Sequence, residues 1–278
     1  GERVEVVFAH PAGDEGDERL PEQQVHVRPH DSAVDDLGGV EQMVVGAARR
    51  LDALGYGVQV IAPAGSRADV PALRVLPGKL APTAIARGYD DPLPVEADAF
   101  LSAALRELAS QARPDDAILN FSYDWLPLFA SDFLPCPLGT LVSMGSLNRS
   151  LDREIRRVAS RHPERLAFLS AAQAASFDVP GPVRLIPPGL DLARYRFNAR
   201  PSRDCCWLGR IVPEKGLDNV FAFAARAGRS VTVFGVMPDR FYWEGLTERY
   251  PGVPVAYGGF LDPPALAAAY ERGGAACL

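Results

Sequence analysis

The chain has 278 residues, enough for two domains with a core each, and its 47% hydrophobic and 23% charged residues are the proportions of a globular protein, not a disordered or fibrous one. A formal net charge of -6 and an isoelectric point near 5.3 argue against a surface built to neutralise nucleic-acid phosphates, so any anion site must be local. The only apolar run near the start is VEVVFA, too short for a signal-peptide core, and no run approaches the roughly 18 residues of a membrane span, so a soluble, cytoplasmic protein is expected.

VEVVFA (4–9) predicts the first strand. After an irregular acidic stretch, Val40, Val44, Ala47, Ala48, Leu51 and Leu54 recur at helical spacing, and Gly55 stands where that helix should stop. VQVIAP (58–63) predicts a second strand and LRVLPG (73–78) a third, followed by a helix over 98–113 that buries Leu101, Ala104, Leu105 and Leu108. DAILNF, LGTLVSM, LAFLSA and VRLIPP predict further strands. Short β-branched runs alternating with helical patterns are the signature of βαβ units, so the first domain is expected to be doubly wound α/β with a parallel sheet.

PPGLDLARYRFNARPSR (187–203), with its prolines and arginines and no sustained period, is expected to be the linker, giving domains over 1–197 and 198–278. A second series then runs through CCWLGRI, a helix near 216–227, SVTVFG, a helix near 239–250, VPVAYGGF, a helix near 263–272, and AACL. Asp262 before Pro263 and Pro264 suits a cap and first turn of the last helix. The cysteines, Cys136, Cys205, Cys206 and Cys277, form no C-x-x-C pair and are expected to be reduced structural thiols.

Open parallel sheets collect ligands at the carboxyl ends of their strands. In WLGRIVPEKGLDNV (207–220), Gly209 would let a phosphate approach the backbone, Arg210 would supply a planar fork and Lys215 a point charge, and a helix starting near Gly216 would add its positive end. That is a diphosphate clamp. The spacing is equally that of an ordinary strand-to-helix turn with solvated charges. DDLGGVEQMVV (35–45) repeats the theme in the first domain, with Gly38 and Gly39 ahead of a helix, which points to a ligand held between two domains.

Taken together, GRIVPEKG, DLGGVEQMVVGAARRLDALGYGVQVIAP, IPPGLDLARYRF and YGGFLDPPALAAAYERG resemble, in order and spacing, the motifs of GT-B glycosyltransferases, specifically retaining family four. The resemblance implies two Rossmann-like domains facing a cleft, the second incomplete in this chain. It also implies a nucleotide-diphosphate sugar, UDP-sugar favoured, as co-substrate, a small-molecule or glycan acceptor, and no further cofactor. Arg210 and Lys215 would stabilise the departing diphosphate. Gly38, Gly39, Gly209, Gly235, Gly258, Gly259, Phe260 and Leu261 would line the donor site. Family members carry a glutamate motif beyond the last strand seen here, so a natural chain longer than this one is expected.

The acceptor side departs from the family pattern. NFSYDWL has Phe121 and Tyr123 where histidines are usual, and LVSMGSLNRS offers Met144, Gly145 and Ser146 where another histidine is common. His10, Asp124 and Ser146 remain as acceptor-side candidates; Asp124 and Ser146 also suit helix caps, and His10 and His30 suit solvated loops. No D-x-D stands at a strand end and no His/Cys cluster has ligand spacing, so no metal is expected. RSLDREIRRVASRHPER (149–165) has six arginines and a small apolar face of Leu151, Ile155 and Val158, lacking Trp or Phe, which suits a solvated helix over the sheet better than a membrane-surface one. A GT-B-like protein that binds a sugar nucleotide without transferring it is the main alternative. A Rossmann oxidoreductase is disfavoured because no G-x-G-x-x-G follows the first strand.

Overall fold

The computed structural model describes residues 3–7, 39–80, 88–189, 192–200, 202–261 and 263–272. The chain divides into two compact units, Gly1–Gly189 and Leu190–Leu278. Residues 190–197, grouped with the first domain by sequence, cluster with the second: Tyr195 packs edge-on against Tyr270, and Asn198 Nδ2 donates to the Glu271 carbonyl at 2.7 Å.

The first unit contains β1 (Arg3–Val7), α1 (Gly39–Ala53), β2 (Gly57–Pro63), β3 (Leu73–Leu76), α2 (Phe100–Gln111), β4 (Ala117–Asn120), α3 (Trp125–Ala130), β5 (Leu138–Val142), α4 (Arg149–Arg161), β6 (Leu166–Phe168) and α5 (Ala171–Ala175). Its strands pair in parallel in the order β3-β2-β1-β4-β5-β6, so the chain winds one way from β1 to β3 and the other way from β4 to β6. The strand order reverses between β1 and β4.

Alternation along β2 shows why both faces must be covered. Val60 joins Val44 and Ala48 of α1, whereas Ile61 joins Phe100, Ala104 and Leu108 of α2. Leu151, Ile155 and Val158 of α4 recur at i, i+4 and i+7 and are buried with Phe168 and Phe177. That stripe is consumed by the core, so the arginines of α4 form its outer face. Arg157 among them bonds Asp132, Glu154 and the Leu128 carbonyl.

One predicted strand is not formed. VRLIPP makes a single parallel bridge, with Phe168 N–H donating to the Arg184 carbonyl and Ile186 N–H to the Phe168 carbonyl, and there it stops. The reason is Pro187 and Pro188, which have no N–H to continue a ladder, and Leu185 and Ile186 remain exposed at the sheet edge.

The second unit holds β7 (Cys205–Leu208), α6 (Leu217–Ala227), β8 (Val231–Phe234), α7 (Arg240–Arg249), β9 (Val255–Tyr257) and α8 (Pro263–Arg272). The strands pair in parallel as β7-β8-β9. Leu217, Val220, Phe221 and Ala224 form the buried stripe of α6, and the Phe221 ring meets Trp243 and Tyr250 of the next helix region. Gly228, in the left-handed region at φ 59°, ends α6 as a glycine C-cap. Cys136, Cys205 and Cys206 are buried and form no disulfide among the described residues, and burial pushes the Cys206 thiol up. AACL, Cys277 and the Asp262 cap fall outside the described residues.

Candidate functional site

In the second unit the three strands end in loops that are bonded to one another. Gly209 N–H donates to the Phe234 carbonyl at 3.0 Å, Gly235 N–H to the Gly259 carbonyl at 2.8 Å, and Gly258 N–H to the Val233 carbonyl at 2.9 Å. Tyr257 Oη donates to the Gly235 carbonyl at 2.9 Å. Four of the predicted donor residues, Gly209, Gly235, Gly258 and Gly259, are thereby brought together at the carboxyl edge of one sheet, where ligands of such sheets bind.

The glycines have internal causes. A Cβ at Gly235, which sits at φ 135°, would run into the Gly209 carbonyl, one at Gly258 would enter the Phe234 ring, and one at Gly209 would stand 3.0 Å from the buried Trp207 indole. Their amides are also engaged within the unit. The bare-backbone cradle read from sequence is therefore largely satisfied by the protein itself.

The helix start is partly occupied as well. After Gly209 the chain turns through a short 3-10 segment, Pro213–Lys215, and enters α6 at Gly216, which is left-handed at φ 68°. Lys215 N–H donates to the Val212 carbonyl, Gly216 N–H to Pro213, Asn219 N–H to Gly216, and Asp218 N–H to the Tyr242 hydroxyl at 3.2 Å. What recommends this turn as an anion site is its side chains: Arg210 and Lys215 are both exposed, on either side of Ile211, which is fully buried and held by its N–H to the Val236 carbonyl at 2.9 Å. The buried Ile211 anchors the backbone next to Arg210, and the Lys215 N–H bond to the Val212 carbonyl closes the short turn from which the second cation leaves. Phe260 is exposed and Leu261 half-buried just beyond Gly259.

In the first unit the corresponding loops follow β4 and β5. Asn120, fully buried, accepts on Oδ1 from Ser122 N–H and the Ser122 hydroxyl and donates through Nδ2 to the Thr140 hydroxyl, tying the two strand ends together. Asp124 caps α3, accepting from Leu126 N–H at 2.8 Å, and burial raises its carboxyl above the ordinary range against the lowering effect of that bond.

Ser146 does not cap α4, contrary to the capping reading. Asn148 does so, accepting from Ser150 N–H at 2.9 Å, because it occupies the Ncap position directly before Arg149, two residues beyond Ser146. Ser146 instead donates its hydroxyl to Asp152 Oδ2 at 2.7 Å and its N–H to the Ser176 hydroxyl. Met144 packs against the core, and its carbonyl and that of Val142 accept from Gln173 Nε2. Tyr123 donates its hydroxyl to the Gly145 carbonyl, and its phenol is pushed up by burial and by the nearby Asp152 charge.

Gly39 is the first residue of α1. Gly38, His10 and His30 lie outside the described residues. Sequence reading missed the Asn120 network, Tyr89 and Asp152. The run of small polar residues in LNFSY hinted at the first, but nothing local pairs Tyr89 with Asp152, which stand 63 positions apart. A surface pocket of about 700 Å³ lined by Asp132, Cys136, Arg161, His162 and Arg165 lies before β5 and β6, at their amino ends, and thus away from the strand ends where the predicted residues gather. Among the described residues no group of three or more His, Cys, Asp or Glu side chains is placed to hold a metal ion, and no helix is long and apolar enough to cross a membrane.

Two parallel α/β sheets in succession, the first doubly wound and the second three-stranded, match the fold of GT-B glycosyltransferases. AviGT4, a glycosyltransferase involved in avilamycin A biosynthesis, superposes with a TM-score of 0.53 at 19% identity, over 93% of this chain and 63% of that one. D-inositol 3-phosphate glycosyltransferase of Streptomyces griseus is 26% identical over 223 residues, 67% of this chain and 46% of the relative. The chain thus spans about half the length of the curated relative it matches. No family model matches the chain.

Proposed function

We propose that the chain is the donor-binding and acceptor-side portion of a retaining, metal-independent glycosyltransferase of the family-four kind, acting in the cytoplasm. It moves a sugar from a nucleotide-diphosphate sugar, UDP-sugar favoured, to a small-molecule or glycan acceptor. The observation that carries this reading is the turn after β7, where exposed Arg210 and Lys215 flank buried Ile211 beside the linked glycine loops. The GT-B fold and the glycosyltransferase relative support it.

In this reading the second unit holds the nucleotide, with Gly235, Gly258, Gly259, Phe260 and Leu261 around base and ribose. Arg210 and Lys215 carry the diphosphate. As the glycosidic bond breaks, negative charge grows on the departing phosphate, and two cations already in place stabilise it more than the bound donor. The first unit holds the acceptor through residues following β4 and β5, Asp124 and Ser146 among them.

Calorimetric titration of the chain with UDP, GDP, dTDP and NAD tests the reading. One nucleoside diphosphate is expected to bind, and to bind much more weakly to Lys215→Ala. Binding of NAD with no nucleoside diphosphate would overturn it in favour of an oxidoreductase. A chain that binds UDP and hydrolyses or transfers no sugar would instead be a non-transferring sugar-nucleotide binder.

A further inference from the structure

The first unit contains a buried carboxylate that the donor chemistry does not use. Asp152, in the first turn of α4, is 1% exposed. Its Oδ2 accepts from the Tyr89 hydroxyl at 3.0 Å and the Ser146 hydroxyl at 2.7 Å, while its Oδ1, also buried, has no hydrogen-bond partner. No ion pair involves Asp152 among the described residues. Two guanidinium groups of α4 are engaged elsewhere: Arg149 with Asp90 and over the Tyr89 ring, and Arg156 with the Phe177 carbonyl.

An unpaired buried carboxylate oxygen is costly and calls for a reason. Position supplies one. Ser146 belongs to the loop after β5 and Tyr123, whose phenol senses the Asp152 charge, to the loop after β4, so the carboxylate stands under the strand ends next to the sheet's reversal point. In surroundings of low dielectric its field is little screened. Tyr89, whose hydroxyl meets the other oxygen, is 45% exposed.

We propose that Asp152 determines acceptor specificity: its free Oδ1 takes a hydroxyl or ammonium donor from a neutral or cationic acceptor, and its negative charge, which no ion pair neutralises, disfavours acceptors that carry phosphate or carboxylate at that point. This rests on the glycosyltransferase reading for the word acceptor, and it sets the chain apart from a relative named for a phosphorylated one. Tyr89 moves aside as the acceptor group reaches Oδ1.

Saturation-transfer NMR on the intact chain, with glucose, glucosamine, myo-inositol, glucose 6-phosphate and inositol 3-phosphate as probes and UDP titrated in the same samples, tests it. The unphosphorylated probes are expected to bind at least roughly tenfold tighter than the phosphate esters, which is the scale of one unit charge at moderate distance. Asp152→Asn should contract that ratio by about tenfold. Tyr89→Lys, which places an ammonium beside the carboxylate at a half-exposed position, should do the same if the Asn variant fails to fold. Phosphate esters that bind as well as their parent sugars, an unchanged ratio in both variants, or no binding by any probe would overturn the inference. UDP binding without discrimination removes this inference alone; discrimination without UDP binding removes the glycosyltransferase reading and leaves the selectivity standing.

Discussion

The hydroxyl of Tyr257, the last residue of β9, donates to the carbonyl of Gly235, the first residue beyond β8, at 2.9 Å. It closes the ladder through which the loops after β7, β8 and β9 hold one another. Tyr257→Phe is expected to lower stability by about 1 kcal/mol, the net worth of one hydrogen bond. Urea unfolding measures it, and UDP affinity should fall with it. An unchanged midpoint and affinity would mean that the loops hold their positions without this bond.

Gly235 itself is the tightest point of that ladder. Gly235→Ala combines φ 135° with a collision against the Gly209 carbonyl, and is expected to cost at least about 3 kcal/mol. Gly259→Ala is the control: φ is 75° there but the Cβ would meet open space, so about 1 to 2 kcal/mol is expected. Equal losses in the two variants would refute the close approach at Gly235.

Arg210→Ala and Lys215→Ala should separate activity from stability. Both side chains are exposed, so each variant is expected to unfold within about 0.5 kcal/mol of the parent. Sugar transfer, measured with the donor identified by titration, should fall about a hundredfold in each. Parental rates in either variant would contradict the proposed diphosphate contacts.

Ile211 makes the complementary case. Truncation to Ala removes a fully buried side chain and should cost about 2 to 5 kcal/mol, while leaving both cations in place. Because Ile211 anchors the main chain beside Arg210, UDP affinity measured well below the unfolding midpoint should fall also. Full affinity in a destabilised variant would show that the cations are placed by other contacts.

Asp124 predicts a pH dependence. Its folded carboxyl is raised from 3.8 by burial, so the folded state binds the proton more tightly than the unfolded chain. Its contribution to stability is therefore present at pH below 3.8 and is lost as pH rises through the folded value. The stability of the parent minus that of Asp124→Asn, from denaturation at a series of pH values, should decline upward from about that point and then level off. A difference that rises with pH would reverse the assignment. Asp124→Ala, which also removes the cap, should cost about 1 kcal/mol more than the Asn variant.

Much of the architecture was legible because period carries it. Val44 and Ala48, or Leu217, Val220 and Phe221, repeat at the spacing of one helix face, and that face must be covered whatever the partner. VRLIPP shows the limit: composition favoured a strand, but pairing needs amide hydrogens that Pro187 and Pro188 lack. The turn at 209–216 was legible as a place, from a glycine and two cations between a strand and a helix.

Its inner workings were not. Sequence pattern determined two parallel α/β units, the order of their elements, the exposed cations and, as one of two readings, the cap at Asp124, all of which depend on neighbours within a few residues. Tertiary structure alone decided that Gly209 lies against Trp207, that Gly235 lies against the Gly209 carbonyl, and that Tyr89 and Ser146 converge on one oxygen of Asp152 and leave the other bare. The physical reason is that close packing and hydrogen-bond satisfaction are set by which strand ends the sheet order makes adjacent, and adjacency in space is not written in spacing along the chain.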